Sequence, residues 1–340
     1  MRWRSLGRFG AGILAGFFAL TDARASLVKT GGSPPLVMPN TLLVEAGERL
    51  GPSPSPAAQG KTARPVANVK ESPRTCSAVA VRGSRSSTGE PIIAKNFDYL
   101  PLVQPYYMLR ESRPDPGLRS IEFTVAPLAG TVDGINEKGL CICNNYAFTV
   151  DTAAPTATIS MVIAEALERC STVTEAAEWI ATQPRWGAGL LMLADASGDI
   201  ASLEISSTRC QVRRPGDGED ILFHTNAFSC PEMREVQVPW EAVFTEHAPI
   251  SLRGTRLHES AQVRDCRLAE LLRHSEPLGP DELATIMADH GPDGVPGDNT
   301  LCVHSDYWNT TASMQFFPRR RSMRVDFTAA CQARFHEIEL

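Results

Sequence analysis

Residues 71–99 read ESPRTCSAVAVRGSRSSTGEPIIAKNFDY. A leader rich in Pro, Gly and Ser stops at Thr75, and Cys76 opens an alternating apolar run at once. "CSAVAVRG" and "EPIIAKNF" each have the length and β-branched content of a strand, and the Gly/Ser-rich segment between them reads as a turn. In the second strand Asn96 and Asp98 stand at i and i+2, which puts both side chains on one face. The domain thus begins with a thiol, and an acid sits on the strand predicted beside it.

Upstream, "MRWRSLGR" and "FGAGILAGFFAL" form a basic n-region and a short apolar h-region, and Ala23–Ala25 before Ser26 is a small-x-small cleavage site. Residues 1–25 are therefore expected to be a signal peptide, too short in its apolar run to span a bilayer. Export to the periplasm or medium follows, with no membrane contact once the signal is removed. Residues 26–75 read as a Pro-rich propeptide or linker, and 76–340 as the folded domain. The formal net charge of −6 gives no reason to expect a nucleic acid as partner. Nine cysteines leave at least one unpaired within the chain. Cys141 and Cys143 lie in an apolar strand run and read as core. Cys302-x-His304 is a weak zinc signal without a second pair, and no metal is expected.

Past the opening hairpin, "SIEFTVA" and "GTVDGINEKGLCICNNY" continue as strands, with "NEKG" as a turn. "TISMVIAEALERC" and "TVTEAAEWIATQ" read as amphipathic helices, the second with a Thr N-cap. "GAGLLMLADASGDIASLEI" is a hairpin with "DASGD" at its tip, and "CQVRR" and "DILFHTNAF" follow as strands. "ESAQVRDCRLAELLRHS" is helical, with Val263, Leu268, Leu271 and Leu272 expected on one stripe. A second helix starts after Pro280 and is stopped by Gly291. "TLCVHSD", "TTASMQFFP" and "SMRVDFT" return to strands. Runs of strands and runs of helices in this order argue for an α+β fold rather than alternating βαβ units.

Eight pieces in order, "TCSAVA", "AKNFDY", "GINEKGLCICNN", "HTNAF", "ESAQVRDCRLAELL", "MADHG", "LCVH" and "TTASMQFFP", resemble the N-terminal-nucleophile amide hydrolases of the choloylglycine hydrolase and isopenicillin-N acyltransferase type. The resemblance runs from Cys76 to about Cys331. It implies a four-layer αββα sandwich with two packed antiparallel sheets. It also implies self-cleavage at Thr75–Cys76, so that Cys76 supplies both a thiol nucleophile and a free α-amine. An α-amine has an unperturbed pKa of about 8, close enough to neutrality to act as general base.

By the same resemblance Asp98 orients the amine or thiol. Asn226 and Asn145 supply side-chain amides to the oxyanion, with Asn144 the alternative by one residue. Arg264 places a positive charge near Cys76, which favours the thiolate. Lys95 stands where arginine is frequent and keeps the charge without the planar fork, and Ala227 replaces a frequent histidine. His290, His304 and Ser313 are expected as scaffold or pocket wall. No cofactor is implied. The expected partner is a small-molecule amide or acyl donor, and a homo-oligomer is compatible with the sequence. Two rival readings exist. A papain-like peptidase needs a histidine base against the cysteine, and an inactive exported binding protein would keep the fold with the Thr75–Cys76 bond intact.

Overall fold

The computed structural model describes residues 75–153, 156–246, 248–273 and 276–340. The expected signal peptide and almost all of the leader lie outside these residues.

Among the described residues, thirteen strands form two antiparallel sheets. Sheet I contains β1 (Thr75–Val81), β2 (Ile92–Tyr99), β10 (Ile221–His224), β11 (Asn309–Phe317), β12 (Ser322–Asp326) and β13 (His336–Glu339), in the order β10-β1-β2-β11-β12-β13. Sheet II contains β3 (Tyr107–Ser112), β4 (Ser120–Val125), β5 (Asp133–Asn136), β6 (Cys141–Tyr146), β7 (Gly189–Ala194), β8 (Ile200–Ile205) and β9 (Cys210–Arg213), in sequence order. The sheets pack face to face through Phe97, Ile93, Met314 and Phe316 from sheet I and Phe123, Ile135 and Met192 from sheet II. Truncating one of these phenylalanines to alanine costs about 3–5 kcal/mol.

Helices cover both outer faces. On sheet II lie α1 (Ile159–Arg169) and α2 (Val173–Thr182). α1 buries Ile159, Val162, Ile163, Ala166 and Leu167, the i, i+3, i+4, i+7, i+8 stripe of an amphipathic helix. α2 is capped by Thr172, whose hydroxyl accepts from the Glu175 N–H at 3.2 Å. A short α3 (Pro231–Arg234) follows β10. On sheet I lie α4 (Glu259–Leu271) and α5 (Pro280–Met287), which cover Val79, Val81, Ile92 and Ala94. The αββα layering expected from the sequence is what the chain adopts.

Two local expectations change. Val263 is exposed, and the buried stripe of α4 is Ala261, Arg264 and Leu268, continued by Leu272 just past the helix end. An arginine takes the position expected of an aliphatic residue, because its guanidinium finds partners on β1. "TLCVHSD" is not a strand. It is a loop whose one ladder contact is the bridge His304–Asn309. The turn at "NEKG" does form, and Gly139 adopts φ +87° there.

Candidate active site

β1 is the key element. It is buried along its whole length between β10 and β2, and its residues alternate strictly between two environments. Cys76, Ala78 and Ala80 face sheet II, while Val79 and Val81 face α4 and α5. The ladder sets Cys76 opposite Phe97 and Thr75 opposite Asp98. On β2 the same alternation turns Lys95 and Phe97 toward sheet II and Asn96 and Asp98 toward the helices. The Thr75–Cys76 peptide is therefore flanked by Lys95 on one face and by Asp98 on the other.

On the helix face, Arg264 organises the site. Its Nη1 donates to Cys76 O at 2.7 Å and to Ser77 Oγ at 2.9 Å, and its Nη2 donates to Asn226 Oδ1 at 2.8 Å. Cys76 N donates to the same Asn226 Oδ1 at 3.0 Å. Asn226 Nδ2 donates to Tyr146 O at 2.8 Å. This fixes the amide's orientation, since a guanidinium can only donate and a carbonyl can only accept. Asn226 thus offers Cys76 nitrogen an acceptor, whereas the sequence reading gave it a donor's role toward the oxyanion.

Asp98 Oδ1 accepts from the Thr310 hydroxyl at 2.6 Å. Burial pushes the Asp98 carboxyl up to about 6, opposed first by the Arg264 charge and then by the Thr310 and Thr75 hydroxyls. Asn96, on the same face, donates to Met287 O at 2.7 Å and Leu301 O at 2.9 Å, and its Oδ1 accepts from Ser313 Oγ at 3.2 Å. Ser313 is therefore scaffold, as expected.

On the face toward sheet II, Lys95 is fully buried and donates from Nζ to Asp133 Oδ1 at 2.6 Å and to Asn144 O. Burial alone would lower its pKa, but Asp133 outweighs that and holds the ammonium above its ordinary value. Burial pushes the Asp133 carboxyl up. Both its donors, Lys95 Nζ and Asn144 N, nonetheless converge on Oδ1, and Oδ2 has no acceptor for a proton among the described residues. The raised Lys95 ammonium in contact with Asp133 at 2.6 Å makes this a buried ion pair. Lys95 is also the main influence favouring the Cys76 thiolate. Burial prevails, however, and raises the thiol to about 11, with Asp98 adding to the rise. In the uncleaved chain the thiol is neutral at physiological pH.

Alternation puts Asn144 and Asn145 on opposite faces. Cys141 and Cys143 face the space between the sheets, so Asn145 shares the face of Cys76. Asn144 Oδ1 lies instead against Gly189, where a Cβ would come within 2.5 Å of it. The Asn145 amide donates to Thr225 O at 3.0 Å and more weakly to His224 O at 3.4 Å, which locks the end of β10 onto sheet II.

Thr75, Asn226 and Arg264 form the inner wall of an open cleft. Its other walls include Phe148, Phe244, Leu252, Leu257 and Trp308, drawn largely from the loop between α3 and α4. The lining is mixed: beside these apolar side chains stand Ser251, Thr255, Arg256, Glu259, Asp298 and Asn299. His290 and His304 do not line this cleft; they gather with Cys302 and Cys331 in one cluster. Three contributors were missed in the sequence: Asp133, Thr310 and Ser77. Asp133 sits in an apolar strand run, where an unpartnered acid is itself a signal. Thr310 and Ser77 carry no local mark.

Residues 85–291 match the model of the family described as acyl-coenzyme A:6-aminopenicillanic acid acyl-transferase. That is more than half of the chain and includes Asp98, Asn145, Asn226 and Arg264, while Cys76 precedes it. No curated protein matches. Similar solved structures include a Caenorhabditis elegans N-acylethanolamine-hydrolyzing acid amidase ortholog, 13% identical with a TM-score of 0.48, covering 72% of this chain and 93% of that one. A mutant of conjugated bile acid hydrolase from Clostridium perfringens is 11% identical, with a TM-score of 0.44 and coverage of 78% and 92%. Penicillin V acylase from Agrobacterium tumefaciens is 14% identical, with a TM-score of 0.41 and coverage of 78% and 86%. By the family match, which spans Asp98, Asn145, Asn226 and Arg264, the chain belongs to the acyl-coenzyme A:6-aminopenicillanic acid acyl-transferase family.

Proposed function

We propose that this is an exported, self-processing cysteine amidase or acyltransferase that acts on linear amides with an apolar acyl group. The observation that carries the reading is the setting of one peptide bond. Thr75 lines the cleft and Cys76 is buried directly behind it, with Cys76 nitrogen held by Asn226 and Cys76 carbonyl oxygen held by Arg264. The groups that set the charge of the Cys76 thiol are Lys95, Asp98 and Asp133. None is a histidine, so a papain-like site is disfavoured.

In the first step Cys76 Sγ attacks the Thr75 carbonyl carbon and the C–N bond breaks. The Thr75 acyl group passes to sulfur, and the nitrogen gains the thiol's proton. Water hydrolyses this thioester, leaving a Thr75 carboxylate and a Cys76 with both thiol and amine free. In the working enzyme the amine takes the thiol proton as Sγ attacks the substrate amide, and returns it to the leaving amine. An acyl-thioester remains, resolved by water or by a second amine. Asn226 Oδ1, which accepts from Cys76 N at 3.0 Å, holds the amine's direction, and Asp98 and Arg264 set the field around it. The cleft wall takes the acyl chain in the space beside Thr75.

The test is intact mass and N-terminal sequencing of the full chain, wild type and Cys76→Ala, together with hydrolysis of medium-chain and acetyl amides of a fluorogenic amine. The wild type should begin at Cys76 and prefer the longer acyl group, and Cys76→Ala should retain Thr75 and be inactive. An active wild type that still carries Thr75 would overturn the self-processing reading.

A further inference from the structure

Four side chains with metal-ligating atoms meet beside the loop that leads into β11. They are His290, just after α5, Cys302 and His304 in the loop itself, and Cys331 in a 3₁₀ turn (Ala330–Gln332) after β12. Their ligand atoms all lie within 4.8 Å of one another. His304 Nε2 is 3.3 Å from Cys302 Sγ and 3.5 Å from Cys331 Sγ. The rings of His290 and His304 are 5.1 Å apart and nearly perpendicular, at 76°. His290 Nε2 is buried with no hydrogen-bond partner among the described residues, a condition that calls for an explanation.

We infer that His290, Cys302, His304 and Cys331 form a structural zinc site. With Zn–S of about 2.3 Å and Zn–N of about 2.0 Å, the edges of a tetrahedron are about 3.3–3.8 Å. The two His304–sulfur distances already fall in that range, and the remaining pairs, all within 4.8 Å, need to close by at most about 1.5 Å. Two thiolates and two imidazoles suit zinc in chemistry and in number. Binding releases the two thiol protons to solvent, forms four bonds to the metal and leaves a site of zero net charge. No oxidant or reductant takes part. With four protein ligands the coordination is closed, which marks a structural rather than a catalytic centre.

The ligands come from three segments of the chain, and the loop carrying Cys302 and His304 leads back to Asp98. Asp289 is held by Arg267 of α4 through contacts of 2.9 and 2.7 Å, and its carbonyl accepts from Cys302 N at 3.1 Å. Val303, between two of the ligands, donates to Thr310 Oγ1 at 2.8 Å and accepts from Thr310 N at 2.9 Å. Thr310 is the residue that holds Asp98. The metal would therefore fix the loop that positions Asp98, without touching the cleft.

The site is tested on the full chain by elemental analysis, and by cobalt substitution after metal removal under reducing conditions. The expected result is one zinc per chain. Cobalt should give thiolate charge-transfer absorption with the intense visible bands of a tetrahedral centre. Cys331→Ser and His290→Ala should each lose those bands, while Cys266→Ser, at an exposed cysteine elsewhere, keeps them. Because Cys331 is exposed at the edge of the fold, its serine variant is expected to fold, which circular dichroism checks. Chelation should lower the midpoint of thermal unfolding in wild type and not in Cys331→Ser. A chain that binds neither zinc nor cobalt, a cobalt spectrum unchanged in both ligand variants, or a Cys302–Cys331 disulfide found by peptide mass mapping would each overturn the inference. None of these outcomes depends on whether Thr75–Cys76 is cleaved.

Discussion

Neutralising Asp133 with Asp133→Asn should be among the most damaging single changes away from the nucleophile. Lys95 and Asp133 are both fully buried and in contact at 2.6 Å. Lys95 keeps one other acceptor, Asn144 O, which is uncharged. Breaking a buried pair by removing one partner costs about 3–5 kcal/mol, because it strands the other charge. For a domain of this size the midpoint of thermal unfolding should drop on the order of 10 °C. The double variant Lys95→Met/Asp133→Leu removes both charges and keeps the volume apolar, so it should lie within about 1–2 kcal/mol of wild type. The assay is a double-mutant cycle by urea denaturation on the Cys76→Ala background, so that processing does not intrude. A cycle in which each single change costs under about 1 kcal/mol, or in which the two changes simply add, would refute the ionic reading of the pair. Lys95→Met should have a second effect when Cys76 is intact. It removes the main influence opposing burial at the thiol, so processing at fixed pH should slow.

Arg264→Ala removes three contacts to Cys76, Ser77 and Asn226 and takes away the charge that most opposes the burial of Asp98; a loss of at least about 3 kcal/mol is expected, with Arg264→Lys recovering only part of it because one ammonium cannot span all three acceptors. Asp98 and Asp265 are both raised to about 6 by burial, so each binds its proton more tightly folded than unfolded. The stability this contributes is full below about pH 4 and is lost as pH rises through about 6; Asp98→Asn should flatten that part of the stability–pH curve, and an unchanged slope would count against the shift. Processing should accelerate as pH rises from about 6 to about 9, since thiolate grows about tenfold per unit below a pKa of about 11; quenched time points on a gel or by mass give the rate, and a flat profile would contradict a neutral resting thiol. Gly139→Ala should disrupt the β5–β6 turn, because a Cβ there meets Pro318 O at 2.3 Å and the residue sits at φ +87°; its expression and unfolding midpoint should both fall well below wild type.

Much of the fold was legible because it is written locally. The α1 stripe, the Thr172 cap, the β7–β8 hairpin and the alternation of β1 each depend on residues within a few positions of one another, where period and turn chemistry act directly. The same alternation placed Asn96 and Asp98 on one face before any partner was known. What the sequence alone left open are contacts between segments far apart in the chain. Lys95 meets Asp133 only because sheet I packs on sheet II. Arg264 displaces an expected aliphatic position because α4 crosses β1 where Cys76 O and Ser77 Oγ can accept from it. Asn226 turns its oxygen to Cys76 because two neighbours from other elements, Arg264 and Tyr146, leave it no other orientation. The pair Cys302-x-His304 looked incomplete because its companions come from the end of α5 and from the turn after β12. The sequence by itself determined the strands, the helices and the residues able to do the chemistry; the packing of the layers decided which of them share a charge, a proton or a ligand, since those interactions fall off over a few ångströms and only the tertiary fold brings distant segments that close.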